Sequence, residues 1–480
     1  MAEAVQRALL EHRHALIEAP TGTGKSLAYL LPAILSGRKV VIATANKSLQ
    51  NQLFTKDIPF VSRALGREID AVVVKGRSNY ICTHKWEEEL VQQRMFSVVD
   101  REHDQIGTIR LWLKETDTGD VDDLPFVIDG DLRPRIVSFP DDCLQRACLH
   151  YDDACWVNHM RDAAANAQVV VTNHHLLLNA LELGIAGERI LPPAAVYIVD
   201  EAHGLEQTAT TVYETMVTDY TVEQLLARSI LKQNVDTDRI EELRFHNLLA
   251  FREAAALGRD QSFVITSELE EVKKLAGELR KLSDELAKSR PYGEPPSDPN
   301  QEDRSVAQSR RSLELALETM NSTVTKLNEV ATAKRDGDYV RYAVNSQERR
   351  RVSLELHAAP INPASLLRRY LFEPEEIEGR PGGRVVVCTS ATLATDQSFV
   401  HFRARCGITS ECEEQVLPAV FDYPRQALLY QPALPAFQYQ ASESFYDAAA
   451  KEMERLLEVS RGRALCLFTN WSGLKRVAER

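Results

Sequence analysis

No stretch of this 480-residue chain is apolar for long enough to cross a membrane as a helix. The first residues do not read as a secretory leader either, because Glu3, Glu11, His12 and Arg13 interrupt them. A cytoplasmic setting with no membrane partner is the expectation. Positive charge is also short: 57 Lys and Arg stand against 70 Asp and Glu, a net charge of −13. That argues against a protein that binds nucleic acid with its whole surface, but a local basic channel stays open, since binding follows local potential. Close cysteine pairs are absent too. Eight cysteines are present and none are spaced C-x2-C, the spacing usual in a structural zinc knuckle. At this length the chain exceeds one domain.

What is present starts with Glu18-Ala19-Pro20-Thr21-Gly22-Thr23-Gly24-Lys25-Ser26. Residues 13–17 ahead of it suit a short strand, and residues 27–35 behind it suit a helix. A strand, a Gly-rich turn and a helix form a phosphate cradle. The glycines let backbone N–H groups converge on a triphosphate, and the helix N-terminus adds partial positive charge. Lys25 is placed to reach the β/γ-phosphates and Ser26 to hold Mg²⁺. Ala19 stands where the strict pattern has Gly.

Such a cradle needs an acidic partner on a neighbouring strand. The apolar run 195–199 ends in Asp200-Glu201-Ala202-His203, and ligands of open α/β sheets bind at that end of a strand. Asp200 would hold Mg²⁺, and Glu201 would orient and deprotonate an attacking water. His203 either couples this site to movement or caps a helix.

An α/β rhythm runs through the chain, with strands expected at 39–45, 71–74, 167–172, 195–199, 384–388 and 463–469. A short helix is expected at 2–10, and helices at 46–53 and 470–480. Two stretches break the rhythm. Residues 83–166 mix charged helical segments with a Pro/Asp-rich patch. Residues 205–355 are mostly helical, with Leu269, Val272, Leu275, Leu279, Leu282 and Leu286 answered by Leu313, Leu317, Met320, Val324 and Leu327. A Pro/Gly-rich segment, 290–299, lies between these two sets, so an antiparallel helix pair is expected.

Cys82, Cys143, Cys148 and Cys155 follow a C-x60-C-x4-C-x6-C pattern in polar surroundings. Four thiolates from an irregular excursion suit a [4Fe–4S] cluster, which needs no tight knuckle, while zinc stays open on spacing alone. Cys388 and Cys466 sit in apolar runs and read as core. Short polar residues at strand ends, Thr44 and Asn46, then Asn173 and His174, either contact nucleic acid or cap helices. Asn79 and Tyr80 before Cys82, and Ser390 and Thr392 after the 384–388 strand, are further contact or coupling candidates. The basic runs Arg349–Arg351 and Arg368–Arg369 read as solvated faces.

In this order, EAPTGTGKS, VIATANKSLQNQL, KGRSNYIC, VVVTNHHLLL, VDEAH and VVVCTSATL resemble the DinG/XPD family of iron–sulfur superfamily-2 DNA helicases, with the bacterial DinG-like branch favoured. HAAPINP and ALCLFTNWSGLKRVAE also resemble the family. The resemblance implies an α/β fold: a RecA-like P-loop motor domain on a parallel sheet, with an inserted Fe–S domain, a helical arch, and the start of a second RecA-like domain. The implied parts are residues 1–76, 167–205 and 356–410 for the first motor domain, 77–166 for the cluster, 206–355 for the arch and 411–480 for the second motor domain.

The resemblance further implies ATP, Mg²⁺ and a [4Fe–4S] cluster on Cys82, Cys143, Cys148 and Cys155. Substrates would be single-stranded DNA and forked or looped duplex DNA, worked 5′ to 3′ by a monomer in the bacterial cytoplasm, at the nucleoid, in repair or replication-conflict resolution. Two family elements have no counterpart here: an adenine-reading Gln segment, and a Gln-x-x-Gly-Arg-x-x-Arg element that supplies an arginine finger. A fragment of a longer helicase, turning ATP over poorly by itself, is therefore expected. The alternatives are an RNA or RNA–DNA hybrid helicase, a nucleotide-switched DNA-binding protein without efficient turnover, and a zinc-stabilised ATPase.

Overall fold

The computed structural model describes residues 1–95, 100–294, 303–332, 338–348, 351–374, 384–438 and 442–479. The chain divides into two compact units, Met1–Pro418 and Ala419–Arg480.

The first unit is built on a seven-stranded, all-parallel sheet. Its strands are β1 (His14–Glu18), β2 (Val40–Thr44), β3 (Ala71–Val73), β4 (Val169–Asn173), β5 (Val196–Asp200), β10 (Val385–Ser390) and β11 (Cys412–Val416). The spatial order is β11-β1-β10-β5-β2-β4-β3. Near-continuous Val, Ile and Ala runs are what a sheet covered on both faces requires. Side chains alternate between two cores: Leu16, Val41, Val170 and Val199 on one face, Ile17, Ile42, Val171 and Ile198 on the other.

Register brings three loops to one edge. Glu18 pairs with Ser390, and Thr389 with Asp200. The turns after β1, β5 and β10 therefore open at the same C-terminal end of the sheet.

The excursion between β3 and β4 has its own apolar core around Ile81, Trp86, Ile109, Leu132 and Ile136. The excursion after β5 holds the long helices Glu270–Ser289 and Arg304–Ala331. Both sets of apolar residues read from the sequence meet in one core with Leu243, Phe251 and Leu356. The turn expected at 290–299 is described only as far as Glu294, and its remainder lies outside the described residues.

This excursion is not helical alone. A four-stranded antiparallel sheet is built in, in the order β6-β9-β8-β7: β6 (Thr215–Thr218), β7 (Ser262–Val264), β8 (Tyr339–Glu348) and β9 (Arg351–Pro360). Arg349 and Arg350 lie outside the described residues. Val352, Leu354, Leu356 and Ala358 recur at every second position of β9, which is the strand period. Ten cross-strand partners between β8 and β9 supply the pairing that local propensity does not.

Two expectations need correction at the end of the chain. The boundary expected at 410/411 falls at 418/419. Residues 412–416 form β11 and pair in parallel with β1, so they complete the first sheet. The strand expected at 463–469 does not form: that segment is irregular, with Leu465 and Leu467 more than four-fifths exposed. A strand needs a neighbour for its N–H and C=O groups, and none pairs with it among the described residues. Cys466, read as core, is consequently exposed. Within the second unit, helices Ser442–Ser460 and Trp471–Ala478 form, the latter capped by Asn470 Oδ1, which accepts from Gly473 N at 2.6 Å.

Candidate functional site

The loop between β1 and helix Lys25–Leu35 takes its shape from glycine. Gly22 and Gly24 have φ of 89° and 73°, values an L side chain pays strain to adopt. A Cβ added at Gly24 would meet nothing within 4 Å, so the requirement there is backbone conformation. Thr23 Oγ1 donates to Pro20 O at 2.8 Å and closes the loop on itself. Ala19 is buried, and its N–H donates to Ser390 O at 2.9 Å. Thr21 and Gly22 are exposed at the mouth. The free N–H groups of the helix start face this edge, which suits an anion.

Lys25 Nζ donates to Glu201 Oε1 at 2.9 Å, with both side chains largely buried. Glu201 adopts φ 55°, an uncommon conformation for a non-glycine residue. Its second oxygen, Oε2, accepts from Ser390 Oγ at 3.3 Å, and His203 Nδ1 lies 2.8 Å from the same Ser390 Oγ. A hydrogen-bonded row thus runs from the phosphate-loop lysine through Glu201 and Ser390 to the half-exposed His203. The residues read from the sequence as Lys25, Glu201, His203 and Ser390 are one cluster.

Asp200 is buried at the end of β5. Burial, and then the neighbouring Glu201, push its carboxyl above the ordinary carboxylate range, while Tyr29, Lys25 and its bond to Glu201 N pull it back. Tyr29 OH donates to Asp200 Oδ2 at 3.1 Å. Ser26 faces the same phenol. Ser26 and Asp200 thus both lie against the Tyr29 hydroxyl, and their oxygens are of the type that a divalent cation takes as ligands.

Two residues of this site carried no role in the sequence reading. Tyr29 looked like one more apolar position of its helix; its only signal was a polar tip on a face otherwise made of Leu, Ile and Ala. Glu18 closes the strand. Its Oε2 accepts from Leu393 N at 2.6 Å and Ala394 N at 2.7 Å, tying the phosphate loop to the turn after β10.

The contact candidates at strand ends separate. Asn46 and Asn173 cap helices, accepting from Leu49 N at 3.0 Å and Leu176 N at 2.8 Å. Thr392 is exposed. Asn79 accepts from Lys47 Nζ at 2.9 Å. Thr44, Tyr80 and His174 are buried, so of the two roles expected for these candidates their side chains are placed for coupling within the protein. Thr44 Oγ1 donates to Asn46 O. His174 Nε2 lies 2.8 Å from Asp200 O, and burial pushes its imidazole down to about 4. Thr44 and His174 sit at the ends of β2 and β4, each strand flanked on both sides by parallel neighbours, whereas Tyr80 bridges Asp120 within the excursion.

Cys82, Cys143, Cys148 and Cys155 are free thiols lining one cavity of ≈ 840 Å³. Burial raises the Cys82 and Cys148 thiols, while the backbone N–H groups of Lys85 and His150 oppose it. The largely buried Arg161 guanidinium faces Cys143 and Cys155. Four thiols, N–H donors to sulfur and a buried cation fit a group that binds four thiolates and carries negative charge. Among the described residues no three His, Cys, Asp or Glu side chains converge on a single-ion site.

A parallel sheet with a phosphate loop, a buried acid on the neighbouring strand and a third loop at the same edge defines a P-loop nucleotide-binding α/β protein. Residues 2–100 match the DEAD/DEAH box helicase family. Over 492 aligned residues the chain is 29% identical to the ATP-dependent DNA helicase YoaA of Escherichia coli, covering 100% of this chain and 72% of that protein. It is 36% identical over 242 residues to the ATP-dependent helicase DinG of Mycobacterium tuberculosis, covering 46% of this chain and 36% of that one. A solved XPD helicase aligns with all of this chain and 73% of its own, at a TM-score of 0.48 and 12% identity. The chain is thus similar to the DEAD/DEAH box helicase family over residues 2–100, and to YoaA over its whole length. No described helix is long and apolar enough to cross a membrane.

Proposed function

We propose that this chain is an ATP-dependent DNA helicase that couples ATP hydrolysis to 5′-to-3′ movement along single-stranded DNA and to unwinding of forked or looped duplexes. The observation that carries the reading is the convergence of Lys25, Glu201, Ser390 and His203 at the sheet edge, beside Ser26 and Asp200. Lys25 is held by Glu201. A bound triphosphate would take Lys25 and free Glu201 to orient and deprotonate water. Ser26 and Asp200 would hold Mg²⁺, which neutralises charge on the phosphates. Residues 19–26 would cradle those phosphates with backbone N–H groups. The similarity to YoaA, an ATP-dependent DNA helicase, supports DNA as the substrate.

In this reading the excursion 77–166 is a cluster domain, 206–355 an arch, and 419–480 part of a second motor unit. Cys82, Cys143, Cys148 and Cys155 would hold a [4Fe–4S] cluster that braces the first of these. Asn46, Asn79, Asn173 and Thr392 are the remaining candidates for DNA contact or coupling. The working protein is a cytoplasmic monomer acting in repair or replication-conflict resolution.

The test is ATP hydrolysis with and without single-stranded DNA, then unwinding of forks with a 5′ or a 3′ tail, with matched RNA strands as competitors. DNA-stimulated turnover lost in Lys25→Ala, and unwinding of the 5′-tailed fork only, are the expected results. Stimulation by RNA alone, or turnover unchanged in Lys25→Ala, would overturn the reading. Metal and sulfide analysis of anaerobically purified protein tests the cluster separately; one zinc per chain with no sulfide would remove it.

A further inference from the structure

Tyr29 is fully buried, one turn along the helix that begins at Lys25. Spacing of three residues puts it on the same helix face as Ser26. Its ring packs among Leu30, Ala33 and Ile42 in one of the two cores flanking the sheet. A phenylalanine would fill that space equally well, so the hydroxyl is what calls for explanation. A buried phenol is kept where it has a partner. Its partner is Asp200 Oδ2, at 3.1 Å. The other Asp200 oxygen, Oδ1, accepts from Glu201 N at 3.0 Å. The carboxylate is therefore pinned at both ends, once by its own chain and once by the helix that carries Ser26.

We propose that the Tyr29 phenol is a positioning residue that fixes Asp200 opposite Ser26 and so sets the affinity of the nucleotide complex for its divalent cation. This rests on the nucleotide reading above. Tyr29 would touch neither phosphate nor metal and acts through the side chains it meets, Asp200 above all, with Ser26 on its other side. Losing a donor to a buried carboxylate leaves one oxygen of Asp200 unpaired in a site closed to water. That loss weakens cation binding without removing the phosphate cradle, which the backbone and Lys25 supply.

The experiment compares wild type, Tyr29→Phe, Asp200→Asn and the double variant. A fluorescent, slowly hydrolysed ATP analogue is titrated in EDTA, and then its bound complex is titrated with Mg²⁺. In Tyr29→Phe the Mg²⁺ half-saturation point should rise about tenfold, the size of one charge-assisted hydrogen bond, while affinity in EDTA stays within about twofold. In the Asp200→Asn background Tyr29→Phe should add no further shift, because a positioning residue has nothing left to position. A Tyr29→Phe Mg²⁺ curve superimposed on wild type overturns the inference and leaves the nucleotide reading standing. Equal losses in EDTA and in Mg²⁺, or a further shift in the Asp200→Asn background, overturn it as well, since either marks general damage to the site. Wild type that binds no analogue under either condition sinks the nucleotide reading itself, and the inference falls with it.

Discussion

Lys75 Nζ lies 2.5 Å from Asp120 Oδ2, and each side chain is more than nine-tenths buried. Lys75 follows β3 at the edge of the parallel sheet; Asp120 belongs to the excursion that carries the cysteines. Asp122 joins them, accepting from Lys75 at 3.0 Å and from Lys47 at 2.7 Å. The pair is the charged hinge-pin between sheet and excursion. Removing one member of a buried pair strands the other charge, at a cost of about 3–5 kcal/mol. Lys75→Met should therefore loosen the excursion: amides within residues 77–166 should exchange faster while those of β2, β4 and β5 keep their protection. Unchanged exchange across 77–166 would show that the pair holds nothing together.

Gly119, beside Asp120, has φ 64°, and a Cβ there would sit 2.3 Å from the Trp156 ring. Trp156 begins the helix Trp156–Asn166, for which Cys155 is the N-cap position. Gly119→Ala must push that helix start away, because neither the strained backbone nor the indole can yield cheaply. The expected result is faster labelling of Cys155 by a thiol reagent, with Cys388 in the sheet still protected. Labelling of Cys155 at the wild-type rate would argue that the indole simply swings aside.

Much of this was legible because the sheet is parallel and buried on both faces. Runs such as Val40–Thr44 and Val196–Asp200 announce themselves by composition. The phosphate loop and Asp200-Glu201 were legible as local patterns at strand ends. What local pattern could not reveal was pairing at a distance. β8 and β9 exist through each other, 463–469 fails as a strand for want of a partner, and β11 joins β1 from almost 400 residues away. The site followed the same division. Lys25 and Glu201 were readable from their motifs, whereas Tyr29 and Glu18 gain meaning only from Asp200 and the Leu393–Ala394 backbone meeting them in space.

His14, at the start of β1, is held in one tautomer. Its Nδ1 accepts from Val386 N at 3.1 Å, and its Nε2 then donates to Phe372 O at 3.1 Å. Burial pushes the imidazole below its ordinary value; Glu373 opposes this and Arg384 adds to it. The folded state thus binds its proton less readily than the unfolded chain, so stability rises with pH through this window. The contribution is complete above the ordinary histidine value of about 6.5 and is lost as pH falls below it toward the folded value. Glutamine can accept and donate in the same places without titrating. Denaturant unfolding at pH 7 and pH 5 should show a larger loss for wild type than for His14→Gln, and equal losses would mean that His14 is not the group responsible.

Glu201 holds Lys25 and, in the proposed mechanism, is also the group that acts on water. Glu201→Gln separates these two tasks. The amide oxygen can still accept from Lys25 and the amide NH₂ can donate to Ser390 Oγ, so the loop keeps its shape and the analogue should bind within a few-fold of wild type. The amide cannot take a proton, so turnover should fall by about 10²–10⁴, the range that general-base loss produces. Lys25→Ala should do the reverse of the first part, weakening binding as well as turnover. Hydrolysis by Glu201→Gln within a few-fold of wild type would move the base elsewhere in the site. His203 would then be the next group to test, since it is bonded to the same Ser390 hydroxyl.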